Sequence, residues 1–486
     1  MKARSSRFLG ILAALALAAM PAWSATGPKT LSYVAPGANY TPTITPGVPK
    51  LPFVMDHGVK VFHLIAEPVR HEIAPGMVIQ GWGYNGSIPG PTIEAVEGDR
   101  VRILVTNKLP EQTSIHWHGV ILPSGMDGVG GVSQHHIQPG ETYAYEFTLK
   151  QHGTQMYHPH ADETTQMALG QMGFFIIHPK REPRRIDKDF AIFLQEWDIP
   201  PGSYAPNPVT MTDFNLFTFN GRAYPGTAPL VVQRGDRVRI RYANLTMDTH
   251  PIHIHGYDFV TTGTDGGPIQ PSAWTPETTV NVPPGTTRDI EFTAVHDGDW
   301  ALHCHKAHHA MNQMNHGVPN LTNVDQAGVD EKLQKFLPGY MPMGQNGMSD
   351  MAGMDMGGPP NTLPMMTGDG PKGPIEMGGM FTVVKVRDHI NGQEDPGWYQ
   401  DPPGTLAHPV DLSKQVFVDL PEGGSPPPTP APKPDEDMNG MDMKGMDMKG
   451  MDMKGMDMKH MKGMKGMDMK GMKDMDMKDS DKGKKP

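Results

Sequence analysis

Two stretches of this chain recur in the same order, and that repeat limits the fold more than any other feature. GDRVRILVTN at 98–107 returns as GDRVRIRYAN at 235–244, an offset of 137 that also carries His116 and His118 onto His253 and His255. Farther on, IQPGETYAYEF (137–147) returns as VPPGTTRDIEF (282–292), and the offset of 145 carries His158 and His160 onto His303 and His305. Several matches in one order make the middle of the chain two copies of one domain. Within each copy β-branched and charged residues alternate (Val101, Arg102, Ile103; Val238, Arg239, Ile240) between Pro-Gly turns, and amphipathic helical patterns are scarce. Each unit is expected to be an all-β sandwich.

The copies predict domains at 57–180 and 181–395. The second is interrupted from about 315 to 374 by VDEKLQKFL, a short helix signal, and a loop rich in Met, Gly and Pro, after which IEMGGMFTVVKVRD (375–388) returns as a strand. Residues 389–420 carry no clear signal. From 421 the Pro-rich EGGSPPPTPAPKPDED reads as an extended spacer, followed by MDMKG repeats that run nearly to 486. The repeats lack Phe, Tyr, Trp, Val and Ile, so they cannot bury a core and are expected to be disordered. Methionine is concentrated here: of 38, 16 lie between Met438 and Met477 and 10 between Met341 and Met380. Met-Asp-Met in an extended segment puts two thioethers on one side, and thioethers select Cu(I). A solubilising tail is the plainer reading of the same repeats.

Residues 1–24 combine Lys2, Arg4 and Arg7 with an apolar run from Phe8 to Met20 and small residues at Ala22 and Ser24, the pattern of a cleaved secretory signal. The expected location is periplasmic or secreted. No later stretch could span a bilayer, and a net charge of −11 argues against nucleic acid as a partner.

Four His-x-His pairs carry the chemistry: His116/His118, His158/His160, His253/His255 and His303/His305. On a strand, side chains two apart share a face, so each pair presents two imidazoles together. Eight imidazoles exceed what one zinc ion takes and suit a cluster of several copper ions. The only cysteine, Cys304, lies between His303 and His305 and cannot form a disulfide within the chain. A buried thiol, a nucleophile and a metal ligand remain open. Its side chain points away from the flanking histidines, so it could bind a different metal. His250, His309 and Met314 lie near it in sequence, and two histidines, a thiolate and a weak methionine make a blue copper site.

HWHG, HPH, HPIHIHG and HCHKAHHAMNQM resemble the four copper motifs of the multicopper oxidases, the family of laccases, ascorbate oxidase and cuprous oxidases. The resemblance covers about 57–320 and 375–390. It implies two cupredoxin-like Greek-key sandwiches and about four coppers per monomer equivalent. Substrate would be oxidised at a type 1 copper, with O2 reduced to water at a trinuclear cluster. Carried over, the type 1 ligands are His250, Cys304, His309 and Met314, with Met380 as a rival axial ligand. Type 2 copper would take His116 and His253. One type 3 copper would take His118, His158 and His305, and the other His160, His255 and His303. Asp127 resembles the acidic residue that helps deliver protons to reduced oxygen; a turn aspartate is the alternative. His135, His136, His178 and His308 are left as surface or packing residues. The short distance between motif pairs is similar to that in two-domain laccases, which implies a homotrimer with each cluster shared between subunits. Pro159 replaces cysteine in the first copy, so only the second should hold blue copper. The expected function is Cu(I) oxidation in copper tolerance, with extra Cu(I) on the insert and tail. The alternatives are a laccase acting on phenols and aromatic amines, a copper-storage protein and a copper nitrite reductase.

Overall fold

In the first copy, Val59–Ala74 runs parallel to Arg100–Asn107, which pairs antiparallel with Thr142–Thr148. A four-stranded sheet carries Gly90–Val96, Gly173–His178, Gly153–His158 and His116–His118 in that order. The second copy repeats both arrangements. Lys188–Trp197, Arg237–Asn244 and Thr286–Thr293 are neighbours in one sheet, and Leu230–Gln233, Phe381–Arg387, Gly298–Cys304 and His250–Ile254 follow one another in the other. The computed structural model describes residues 30–34, 39–200, 202–312, 328, 330–336, 360–363 and 368–414. The signal-like segment 1–24, Met314, most of the insert and the 421–486 tail lie outside them.

Each core forms between two sheets. The alternation in RVRILVTN turns Val101, Ile103 and Val105 inward, where they join Ile93, Trp117, Tyr157, Phe175 and Ile177. In the second copy Val238, Ile240 and Tyr242 join Ile252, Leu302, Cys304 and Val384. GFFIIH (173–178) is apolar without alternation because both faces of its strand are covered. Phe175 and Ile177 face their own core, while Phe174 and Ile176 pack on Ala191, Phe193 and Ala243 of the second copy. Burying each such phenylalanine contributes roughly 1.5–3 kcal/mol.

Polar contacts key the copies together beside the site. Thr154, on the strand that ends at His158, donates to Asp289 Oδ1 at 2.6 Å and accepts from Arg241 Nη1 at 2.7 Å. Arg241 also grips Asp189 through two bonds of 2.7 and 2.8 Å. These buried charges are therefore paired and hydrogen-bonded, as burial requires.

The insert contains a helix at Asp330–Phe336, and the chain returns as the strand Phe381–Arg387. Residues 389–414, unreadable in sequence, include Asp395, which accepts from Lys385 Nζ at 2.6 Å, and Trp398, whose ring lies 4.7 Å from that ammonium. Among the described residues no helix is long and apolar enough to cross a membrane.

Candidate metal centre

His250–Ile254 pairs with Gly298–Cys304, with Ile252 opposite Cys304, and a 3-10 turn at Ala307–Ala310 brings His309 back over the thiol. Cys304 Sγ lies 3.8 Å from His250 Nδ1 and 3.5 Å from His309 Nδ1, and the two Nδ1 atoms are 3.1 Å apart. Donors held about 2.0 Å (N) and about 2.3 Å (S) from one tetrahedral ion stand about 3.3 Å (N to N) and about 3.5 Å (N to S) apart. The three groups are thus spaced to share an ion. All three residues are fully buried. Burial pushes the Cys304 thiol up to about 12, so a thiolate here needs a cation beside it.

The outer ring nitrogens are held as well. His250 Nε2 is 3.1 Å from Thr246 Oγ1 and 3.2 Å from Glu196 Oε1, and His309 Nε2 is 3.5 Å from Asp248 Oδ2. Phe217 stacks on His309 with ring centres 3.8 Å apart. Such outer contacts fix which nitrogen faces a metal. The hydroxyl and acid beside His250 were not singled out from sequence. Thr246 and Asp248 had a local signal, lying within four residues of a ligand candidate, whereas Glu196 comes from a distant strand and had none.

The central residue of every His-x-His pair is buried (Trp117, Pro159, Ile254 and Cys304); His116/His118 lies wholly on a strand, while His160, His255 and His305 fall just past the ends of theirs. In the first copy His118 Nδ1 and His158 Nε2 are 3.2 Å apart, and the His116 ring stands 5.4–5.7 Å from those of His118, His158 and His160. In the second copy His255 Nε2 and His303 Nε2 are 3.2 Å apart, with the His253 ring 5.7 Å from His303 and 5.5 Å from His305. Backbone carbonyls take one nitrogen of several rings: Pro159 from His158 at 2.8 Å, Cys304 from His303 at 2.9 Å, and Thr278 from His253 at 2.7 Å. These bonds leave Nε2 of His158 and of His303 free to face a neighbouring ring. Burial pushes His158 down to about 3 and lowers His118, His255 and His303, so the rings are neutral and ready to bind a metal.

Among the described residues, the ring contacts of these eight histidines run within each quartet. The first quartet lines a cavity of about 450 Å³ with Met167, Met172, Met211, Met247 and Trp197; the second quartet is not part of its wall. His255 and His305 are exposed.

Asp127 sits beside the first quartet, its carbonyl 2.9 Å and its carboxylate 3.4 Å from His116 Nδ1. Gly128 follows with φ +84, and a Cβ there would collide with the Ile115 carbonyl, so only glycine permits this approach. Of the histidines set aside from sequence, His178 is buried against Glu94 at 2.7 Å and stacked on Tyr40, a packing role. His308 instead groups with Asp248 and His309, with ligand atoms within 4.8 Å of one another.

Two multicopper oxidase family models match the chain, one at residues 67–182 and one at 200–323, and together they take in all four histidine pairs, His250 and Cys304. The chain belongs to the multicopper oxidase family. Copper is the cofactor of this family, and the donor set and spacings above fit it. Copper resistance protein A of Escherichia coli is 42% identical over 135 residues, 27% of this chain and 22% of that protein. Laccase-1 of Cryptococcus neoformans var. grubii is 32% identical over 209 residues, 35% of this chain and 33% of that protein. The chain thus spans a third or less of the length of either relative. The blue copper oxidase from Nitrosomonas europaea is similar in structure, with a TM-score of 0.51 at 25% identity over 67% of this chain and 85% of that one. The two β-sandwich copies of this multicopper oxidase are cupredoxin-like.

Proposed function

We propose that this chain is an exported copper oxidase that takes electrons one at a time from Cu(I), in a copper-tolerance role. Copper bound in the two kinds of site supplies the one-electron oxidation of substrate and the four-electron reduction of O2 to water. The observation that carries the reading is the placement of Cys304. Its thiol faces His250 and His309, while His303 and His305, its neighbours on either side, belong to a histidine quartet. One stretch of backbone therefore joins an electron-accepting site to an oxygen site.

In this reading His250, Cys304 and His309 hold type 1 copper, and His116 and His253 hold type 2. His118, His158 and His305 hold one type 3 copper, and His160, His255 and His303 the other. The close pairs His118/His158 and His255/His303 each fall within one of these trios. Asp127 lies where it can pass protons toward the cluster. Ring contacts that run within each quartet, and a cavity lined by the first quartet without the second, support a homotrimer in which the first copy of one subunit meets the second copy of the next. The signal-like segment supports export, and the Met-rich insert and tail would gather Cu(I). The relative named for copper resistance favours Cu(I), as do four thioethers in the cavity wall near Glu196.

A laccase acting on phenols is the second reading, favoured by Trp197 and Phe214 in the same wall and by the laccase relative. Oxygen consumption by the copper-loaded chain with Cu(I) and with a phenol tests both. Faster uptake with Cu(I), and a rise in its KM but not the phenol's on deleting 435–486, supports the proposal. Phenol turnover alone would favour the laccase, and copper binding without oxygen uptake would favour storage. Nitrite turnover without oxygen uptake would favour a nitrite reductase.

A further inference from the structure

The strand Phe381–Arg387 runs antiparallel to Gly298–Cys304, with His303 opposite Phe381 and Leu302 opposite Thr382. One more step in that register sets Met380 opposite Cys304, and the Cys304 N–H donates to the Met380 carbonyl at 3.1 Å. Directly opposed residues of an antiparallel pair share a face, so the Met380 side chain leaves the sheet on the side of the thiol. A regular ladder would send the Met380 N–H back to Cys304. Here it donates to the His309 carbonyl at 3.0 Å instead. Both peptide groups of Met380 are thus tied to residues of the type 1 trio.

The approach is built into the preceding glycines. Gly378 N–H donates to the Ala310 carbonyl at 2.7 Å, and Gly379 N–H to Oδ1 of the buried Asn312 at 3.0 Å. Gly379 has φ +51, and any Cβ there would strike the His309 carbonyl. The Met380 side chain itself is fully buried, in the same apolar cluster as Cys304.

Resting on the type 1 reading above, we infer that Met380 is the axial ligand of that copper, and that Met314, which the family spacing matches, is not. A buried methionine is commonly core filler. Filler does not require that both of its peptide groups be bonded to the residues that carry the other ligands. With Met380 as ligand, the insert lies in sequence between two ligands of one copper, His309 and Met380. Its described residues Asn361 and Leu363 dock on both copies: Asn361 Nδ2 donates to the Val78 carbonyl at 2.9 Å and to the Ser203 carbonyl at 2.7 Å, and Leu363 joins a cluster with Ile73, Met77 and Trp197.

The test uses copper-loaded full-length chain, with the blue absorption band and the reduction potential of the type 1 site as readouts. Met380→Leu removes a weak donor to Cu(II) and should raise the potential; Met380→Gln supplies a harder oxygen and should lower it, with a changed blue band. Met314→Leu should leave both at wild-type values. Opposite shifts at position 380 are not expected of a packing residue. The inference is overturned if both Met380 variants keep the wild-type band and potential, or if Met314→Leu alone raises the potential. Absence of a blue band in the fully loaded wild type would overturn the type 1 reading with it.

Discussion

Sγ of Cys304 stands 3.5 Å from Nδ1 of His309, although the peptide flanking that sulfur carries two histidines of a different site. Cys304→Ser keeps the volume and removes the soft donor. It should abolish blue absorption and lower turnover of every reducing substrate at least ~100-fold, while copper on the histidine quartets is retained. Copper content, absorption and oxygen uptake check this. Unchanged turnover would separate Cys304 from the electron path.

The two quartets make a shared cluster testable without a crystal. His158→Ala and His303→Ala should each inactivate the chain, and coexpression of the two should restore about one quarter of the sites, because a random mixture pairs an intact first copy with an intact second copy that often in a closed ring. Sedimentation should show three chains per particle. A monomer, or no recovery in mixed particles, would rule the shared cluster out.

At Gly128, added bulk meets the backbone rather than a movable side chain. Gly128→Ala should cost about 3 kcal/mol or more, or displace Asp127 from His116 and reduce the copper held by the quartets. Thermal unfolding and copper analysis of the purified variant distinguish these effects. A fully stable, fully loaded variant would contradict the geometry.

Burial by itself would raise the pKa of Glu291, yet Arg184, Arg239 and Arg237 outweigh it and hold the carboxyl at about 2. With the folded pKa below the unfolded one, the contribution is present above about 4.5 and is lost as pH falls toward 2. The midpoint of thermal unfolding should therefore fall steeply across that window. Glu291→Gln should flatten the fall and destabilise the protein near neutral pH by about 1.5–3 kcal/mol, since Arg184 and Arg237 lose a charged hydrogen-bond partner while Arg239 keeps Glu182 and Asp189. An unchanged slope would assign the acid sensitivity to other carboxylates.

Strand character and the facing of each histidine pair were legible because alternation has a period of two, and Val101, Ile103, His116 and His118 obey it whatever packs around them. The double burial of Phe174 and Ile176 was legible only as an apolar run, since which partner covers the second face is a property of the packed copies. Residues 389–414 gave no signal, because their docking rests on single long-range contacts such as Asp395 with Lys385 and Tyr399 with Asp299. Glu196 escaped for the same reason: it reaches His250 from a strand more than fifty residues away, with no spacing to mark it.

By itself, the order of residues determined the duplicated β architecture, the pairing of eight imidazoles around buried central residues and the thiol turned away from its flanking histidines, all local consequences of periodicity and repetition. Only the tertiary structure decided what lies opposite that thiol. A chain of 75 residues separates Cys304 from Met380, and no local rule spans it; the antiparallel register and the two backbone bonds at Met380 do. It also decided that, among the described residues, the cavity at the first quartet is walled without the second, because packing between whole sheets, not spacing along the sequence, sets what lines it.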